Sequence, residues 1–186
     1  MSPLRLSVNG LEIPEKLRAP RAADDVAARM VRKDATRGGP DAESEAAIRL
    51  GWLDLPATSR ELVSRLTELR AELAAEGLDR VVLCGMGGSS LAPEVITKTY
   101  GVDLVVLDST DPEQVRGALS GPLESTVIVV SSKSGSTVET DSQKRAFAVA
   151  FEATGIDPIE RIVIVTDPGS PLDVSARAAG YRVFNA

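Results

Sequence analysis

The 186-residue chain contains no histidine and one cysteine, Cys84. The first absence removes the usual general base near neutral pH, and with it the commonest metal ligand. A single thiol cannot close an internal disulfide and cannot build a zinc or copper site by itself. No apolar run approaches the ~20 residues of a membrane-spanning helix. The start, Met1-Ser-Pro-Leu-Arg-Leu-Ser-Val-Asn-Gly10, lacks the apolar stretch of a secretion signal. Basic residues are outnumbered, 21 against 27 acidic, for a net charge of −6. Nucleic acid as a partner would need a basic face, so it is excluded. A cytoplasmic protein without metal, membrane or nucleic-acid partner is therefore expected.

What remains is an ordinary globular composition, with 43% hydrophobic and 26% charged residues. Residues 1–75 read as a helical N-terminal segment. Ala22–Ala35 carries Val26, Met30 and Val31 on one helical face, and Asp41–Leu50 is a second short helix beyond the breaker Gly38-Gly-Pro40. Gly51–Pro56 reads as a connector, and Thr58-Ser-Arg-Glu61 as a capping box. The helix it opens places Leu62, Leu66, Leu69 and Leu73 in one stripe. From residue 76 the rhythm becomes strand, loop, helix. Strands are expected at Arg80–Cys84, Asp103–Leu107, Thr126–Val130, Arg161–Val165 and Tyr181–Phe184, most of them rich in valine and isoleucine without polar alternation. Asp111-Pro112 and Ser170-Pro171 mark helix starts. The prediction is an α/β fold, a three-layer αβα sandwich on a five-stranded parallel sheet, over residues 76–186.

In such a sheet ligands sit beyond the carboxyl ends of the strands, here Gly85–Ser90, Asp108–Asp111, Ser131–Thr137 and Thr166–Ser170. The glycines of Gly85-Met-Gly-Gly-Ser-Ser90 allow positive φ and close approach to a ligand, and Ser89 or Ser90 is expected to cap the next helix. Gly85 and Gly87 also fit the first two positions of a dinucleotide fingerprint, with Asp108 spaced for a ribose hydroxyl. Ser90 stands where the third glycine belongs, which leaves NAD binding as a lesser alternative. Ser131-Ser-Lys-Ser-Gly-Ser-Thr137 is more telling. It sets hydroxyls and the compact charge of Lys133 between a buried strand and a helix start, a way of holding phosphate without metal or nucleotide. Ser136-Thr-Val-Glu139 also reads as a capping box, which gives Glu139 a structural role. Cys84 is expected to be buried packing. Asp108, Asp111 and Asp167 read as turn and cap residues.

Taken together, Leu83–Pro93, Leu107–Pro112, Val130–Thr140 and Thr166–Ser170 resemble the sugar isomerase (SIS) domain. Within that superfamily they resemble the glucose-6-phosphate isomerase family, in the bacterial branch fused behind a transaldolase. The resemblance covers about residues 20–186. It implies aldose–ketose isomerisation between glucose 6-phosphate and fructose 6-phosphate, in glycolysis and gluconeogenesis, with no cofactor and with pairing as a homodimer. It implies phosphate contacts from Ser132, Lys133, Ser134 and Thr137, and a sugar lined by Gly88 and Ser89. The family form of the loop has threonine and an aromatic where this chain has Ser134 and Gly135. The family's acid–base residues lie downstream of the region matching Asn185-Ala186. No catalytic residue is therefore assigned here, and the chain is expected to be an N-terminal piece, inactive alone. The alternative in another class is a free-standing SIS module that binds a sugar phosphate for regulation.

Overall fold

The computed structural model describes residues 25–185. The leader reading of Met1–Gly10 and the first turn of the helix expected from Ala22 lie outside them. The chain divides into two compact units, Met1–Thr58 and Ser59–Ala186.

In the first unit, helix α1 (Val26–Val31) is shorter than expected, because Lys33 turns the backbone to φ 56°. Asp34 then closes a 3-10 turn. Its carboxylate accepts from Thr36 N and Oγ1 and from Arg29 Nε, at 3.1, 2.6 and 2.6 Å. These bonds, Thr36 first, hold it at a pKa of about 2. Helix α2 (Pro40–Arg49) follows as predicted. The connector expected at Gly51–Pro56 is helical instead, a 3-10 turn (Leu50–Asp54) running into the short α3 (Leu55–Thr58). The capping box at Thr58 is also corrected. Thr58 Oγ1 donates back to the Asp54 carbonyl, and the next helix starts from Glu61 without a side-chain cap.

The second unit is the predicted α/β fold. Five parallel strands, β1 (Arg80–Gly85), β2 (Val105–Leu107), β3 (Thr126–Ser131), β4 (Ile162–Thr166) and β5 (Arg182–Asn185), lie in the order β2-β1-β3-β4-β5. Each sits within a residue or two of its expected span. One face carries Val82, Cys84, Ile128, Val130, Ile162 and Ile164. It is covered by Ala118 of α6 (Pro112–Leu119), Phe147 and Phe151 of α7 (Val138–Ala153), and Leu172 and Ala176 of α9 (Pro171–Ala178). The other face, Val127, Val163 and Phe184, is covered by Leu62, Leu69 and Leu73 of α4 (Leu62–Ala75). Leu66, expected in the same stripe, lies at its flank and is 44% exposed. Two further helices, α5 (Gly88–Tyr100) and α8 (Pro158–Arg161), complete the connections. Helix α5 turns Leu91, Val95, Ile96 and Tyr100 to the exterior.

This strand order fixes where a ligand goes. The chain leaves β1 for β2 on one side, then crosses back to place β3 on the other side of β1. Such a reversal opens a crevice between the two strands at their carboxyl ends. The glycine-rich loop and the serine-rich loop leave those two strands.

Candidate functional site

The two loops start side by side, since Gly85 at the end of β1 is the register partner of Ser131 at the end of β3. Parallel neighbours lie ~4.8 Å apart. A side chain at 85 would stand 3.2 Å from both the Ser131 carbonyl and Ser89 Cβ, so glycine lets the loops close on each other. Gly87, at φ 58°, is the residue from which α5 departs. Neither Ser89 nor Ser90 caps that helix, contrary to expectation. Ser90 is 1% exposed and donates to the Gly87 carbonyl at 3.0 Å. Gly88 is exposed and Ser89 half-buried at the rim.

In the serine-rich loop, Ser132 is buried, Thr137 half-buried, and Lys133 and Ser134 exposed. Ser132 Oγ and Thr137 Oγ1 lie 3.1 Å apart. One hydroxyl donates to the other, which leaves one proton of the pair free. Ser134 Oγ accepts from Ser136 N at 3.3 Å and from Ser136 Oγ at 3.1 Å, so its own proton points elsewhere. The capping box expected from Ser136 and Glu139 is not formed. Thr137 occupies the cap position of α7, and no side chain caps the helix. A 16-residue helix thus begins at this loop with a partial positive charge and unsatisfied N–H groups. Asp141 in its first turn is offset by Lys144 at 3.3 Å and Arg145 at 3.1 Å.

Gly135 lies at a close approach between the serine-rich loop and the start of α9. Its φ is 66°, and a Cβ would meet Ser170 Oγ at 2.7 Å and the Leu172 backbone nitrogen at 2.8 Å. An open cavity of about 500 Å³ borders this side of the loop. Ser132, Thr137, Val138, Thr140 and Leu172 line it. Thr140 is 1% exposed and its hydroxyl has no hydrogen-bond partner among the described residues.

Two other rim residues cap helices. Asp111 caps α6 through Glu113 N and Gln114 N at 3.0 and 3.1 Å, and Ser170 caps α9 through Asp173 N at 3.0 Å, both as predicted. Gln143 of α7, which sequence reasoning passed over, donates to the Ser109 carbonyl at 3.0 Å and so ties that helix to the loop after β2. Cys84 is fully buried, and its apolar surroundings push the thiol up to about 12. Among the described residues no three metal-ligating side chains cluster, and no helix is long and apolar enough to cross a membrane.

No family model matches the chain. Curated proteins do. A probable glucose-6-phosphate isomerase of Haloarcula marismortui is 42% identical over 98 residues, covering 50% of this chain and 22% of that protein. A glucose-6-phosphate isomerase of Synechococcus is 34% identical over 105 residues, covering 52% and 20%. That of Geobacter sulfurreducens is 31% identical over 144 residues, covering 68% and 27%. The aligned part thus amounts to only about a fifth to a quarter of those relatives. Among solved structures, a hypothetical protein from Thermus thermophilus superposes with a TM-score of 0.68 at 30% identity, over 92% of this chain and 40% of that one. A glucose-6-phosphate isomerase from Chlamydia trachomatis gives 0.64 at 29% identity, over 84% and 30%. In sequence and in fold, over the part of them that it spans, the chain is related to the glucose-6-phosphate isomerases.

Proposed function

We propose that this chain supplies the sugar-phosphate grip of a glucose-6-phosphate isomerase. The observation that carries the reading is the meeting of two hydroxyl-bearing loops at the sheet's crevice, with the uncapped start of α7 between strand and solvent. Ser134 and the one free hydroxyl proton of the Ser132–Thr137 pair donate to the phosphate oxygens of a hexose 6-phosphate, the other hydroxyl of the pair orienting the donor, and the Lys133 ammonium neutralises its charge. Gly88 and Ser89 face the sugar. Relatedness to isomerases supports the reaction class, in which a proton passes between C1 and C2 of the sugar through an enediolate.

The grip's contribution to that reaction is positional. Fixing the phosphate end places C1 and C2 at a constant distance from whatever base acts on them, so binding energy remote from the reacting carbons is converted into orientation. No residue of the two loops is suited to move the proton, for they offer hydroxyls and one ammonium and no base. The isolated chain should therefore bind fructose 6-phosphate without interconverting it.

Calorimetric titration with fructose 6-phosphate, with fructose and NAD as controls, tests this. Binding should require the phosphate and weaken by roughly 1.5–3 kcal/mol in Lys133→Ala, the loss of a charge-assisted hydrogen bond. Affinity unchanged in the variant would put the phosphate elsewhere. Binding of NAD in its place would move the site to the dinucleotide class, and measurable turnover by the pure chain would overturn its assignment as grip alone.

A further inference from the structure

The structure assigns to Thr166, at the end of β4, the role of a positioning residue for the phosphate loop, acting through the Ser132 carbonyl. This rests on the sugar-phosphate reading of that loop. Thr166 is 2% exposed and touches the rim only from beneath. Its Oγ1 donates to the Ser132 carbonyl at 2.6 Å. The Ser170 hydroxyl lies 2.8 Å from Thr166 Oγ1. A hydroxyl has one proton, and that of Thr166 is given to Ser132, so Ser170 is the donor in this contact. Ser170 Oγ in turn accepts from Asp173 N at 3.0 Å. Three bonds therefore run in one direction, from the first turn of α9 through Ser170 and Thr166 to Ser132. Bonds chained in this way polarise and strengthen one another.

The loop backbone is fastened on both sides of this relay. Ser132 N donates to the Val165 carbonyl at 3.0 Å, and Asp167 N donates to the Lys133 carbonyl at 3.3 Å. The β3–β4 ladder thus continues past the end of β3 into the phosphate loop. Gly135 completes the docking, since only a residue without a side chain can lie this close to Ser170 and Leu172. The far end is anchored too. The Asp173 carboxylate accepts from Gly169 N at 2.9 Å, Arg177 Nε at 2.8 Å and Asn185 Nδ2 at 3.0 Å. The backbone at Ser132 and Lys133 is thus held from β4 and the residue after it, with Thr166 buried beneath the rim.

The test compares Thr166→Val, which keeps the shape and removes the proton, with Thr166→Ser, which keeps the hydroxyl. Fructose 6-phosphate affinity and amide hydrogen exchange at Lys133–Ser136 are both measured on the full chain. Losing one aligned hydrogen bond should weaken binding about tenfold in the valine variant and by less than about twofold in the serine variant. Exchange at the loop amides should accelerate in the first and return to normal in the second. Should the valine variant fail to fold, Gly135→Ala loosens the same docking from the loop side and should speed the same amides. Wild-type affinity and wild-type exchange in Thr166→Val would overturn the assignment. Faster exchange without sugar-phosphate binding in the wild type would uphold the positioning role and sink the sugar-phosphate reading instead.

Discussion

At the scale of single residues, environment rather than residue type decides what each group does. Cys84 and Ser134 lie within a few residues of strand ends, yet one is sealed in the core and the other faces solvent. Burial raises the Cys84 thiol from 9.0 to about 12. The unfolded chain loses this proton near pH 9 while the folded chain keeps it. The corresponding stability is complete below pH 9 and is lost as pH rises toward 12, at up to about 1.4 kcal/mol per pH unit. Unfolding free energies of the wild type and Cys84→Ala should therefore converge between pH 9 and 11, and parallel curves would show that the thiol titrates normally. In native buffer at pH 8 the thiol should stay unlabelled by a thiol reagent for as long as the sheet is closed.

Among elements, some helices finish their own N-termini with a side chain and others, α7 among them, do not. Helices α6 and α9 are capped by Asp111 and Ser170, and both caps were legible because an N-cap residue followed by proline is a local signal. The start of α7 misleads through an equally local pattern. Ser136 and Glu139 have capping-box spacing, but the Ser136 hydroxyl turns to Ser134 and the cap position falls to Thr137. The five strands were legible because burial on both faces leaves an unbroken apolar signature. The order of the strands and the Thr166 relay were not, because both depend on strand pairing that brings together residues distant in the chain, 34 positions apart for Thr166 and Ser132. Leaving α7 uncapped is a local instability kept at the site. Thr137→Asp should raise the unfolding free energy by about 0.5–1 kcal/mol through capping and charge–dipole attraction. It should also abolish phosphate binding. Retained binding would show that the ligand does not use the helix start.

At the scale of the molecule, the α/β unit includes α4, because Leu62, Leu69 and Leu73 cover the face bearing Val127, Val163 and Phe184. Arg65 of the same helix lies 5.0 Å from the Phe184 ring, and Arg182 pairs with Glu72 at 2.9 Å. A chain of residues 59–186 should unfold cooperatively by circular dichroism and sediment as one species. One beginning at residue 76 leaves that apolar face bare and should self-associate. Equal behaviour of the two would mean that α4 adds no cover that the sheet needs. The crevice has a consequence in time as well as in space. Its walls, β1 and β3, pair across a separation of 46 positions at Arg80 and Thr126, and its floor is fastened by β4, which is later still in the chain. Contacts of such long range form late in folding. The grip therefore cannot assemble on an early intermediate, and during refolding phosphate-dependent binding should return only with the last phase, after the helices have already formed.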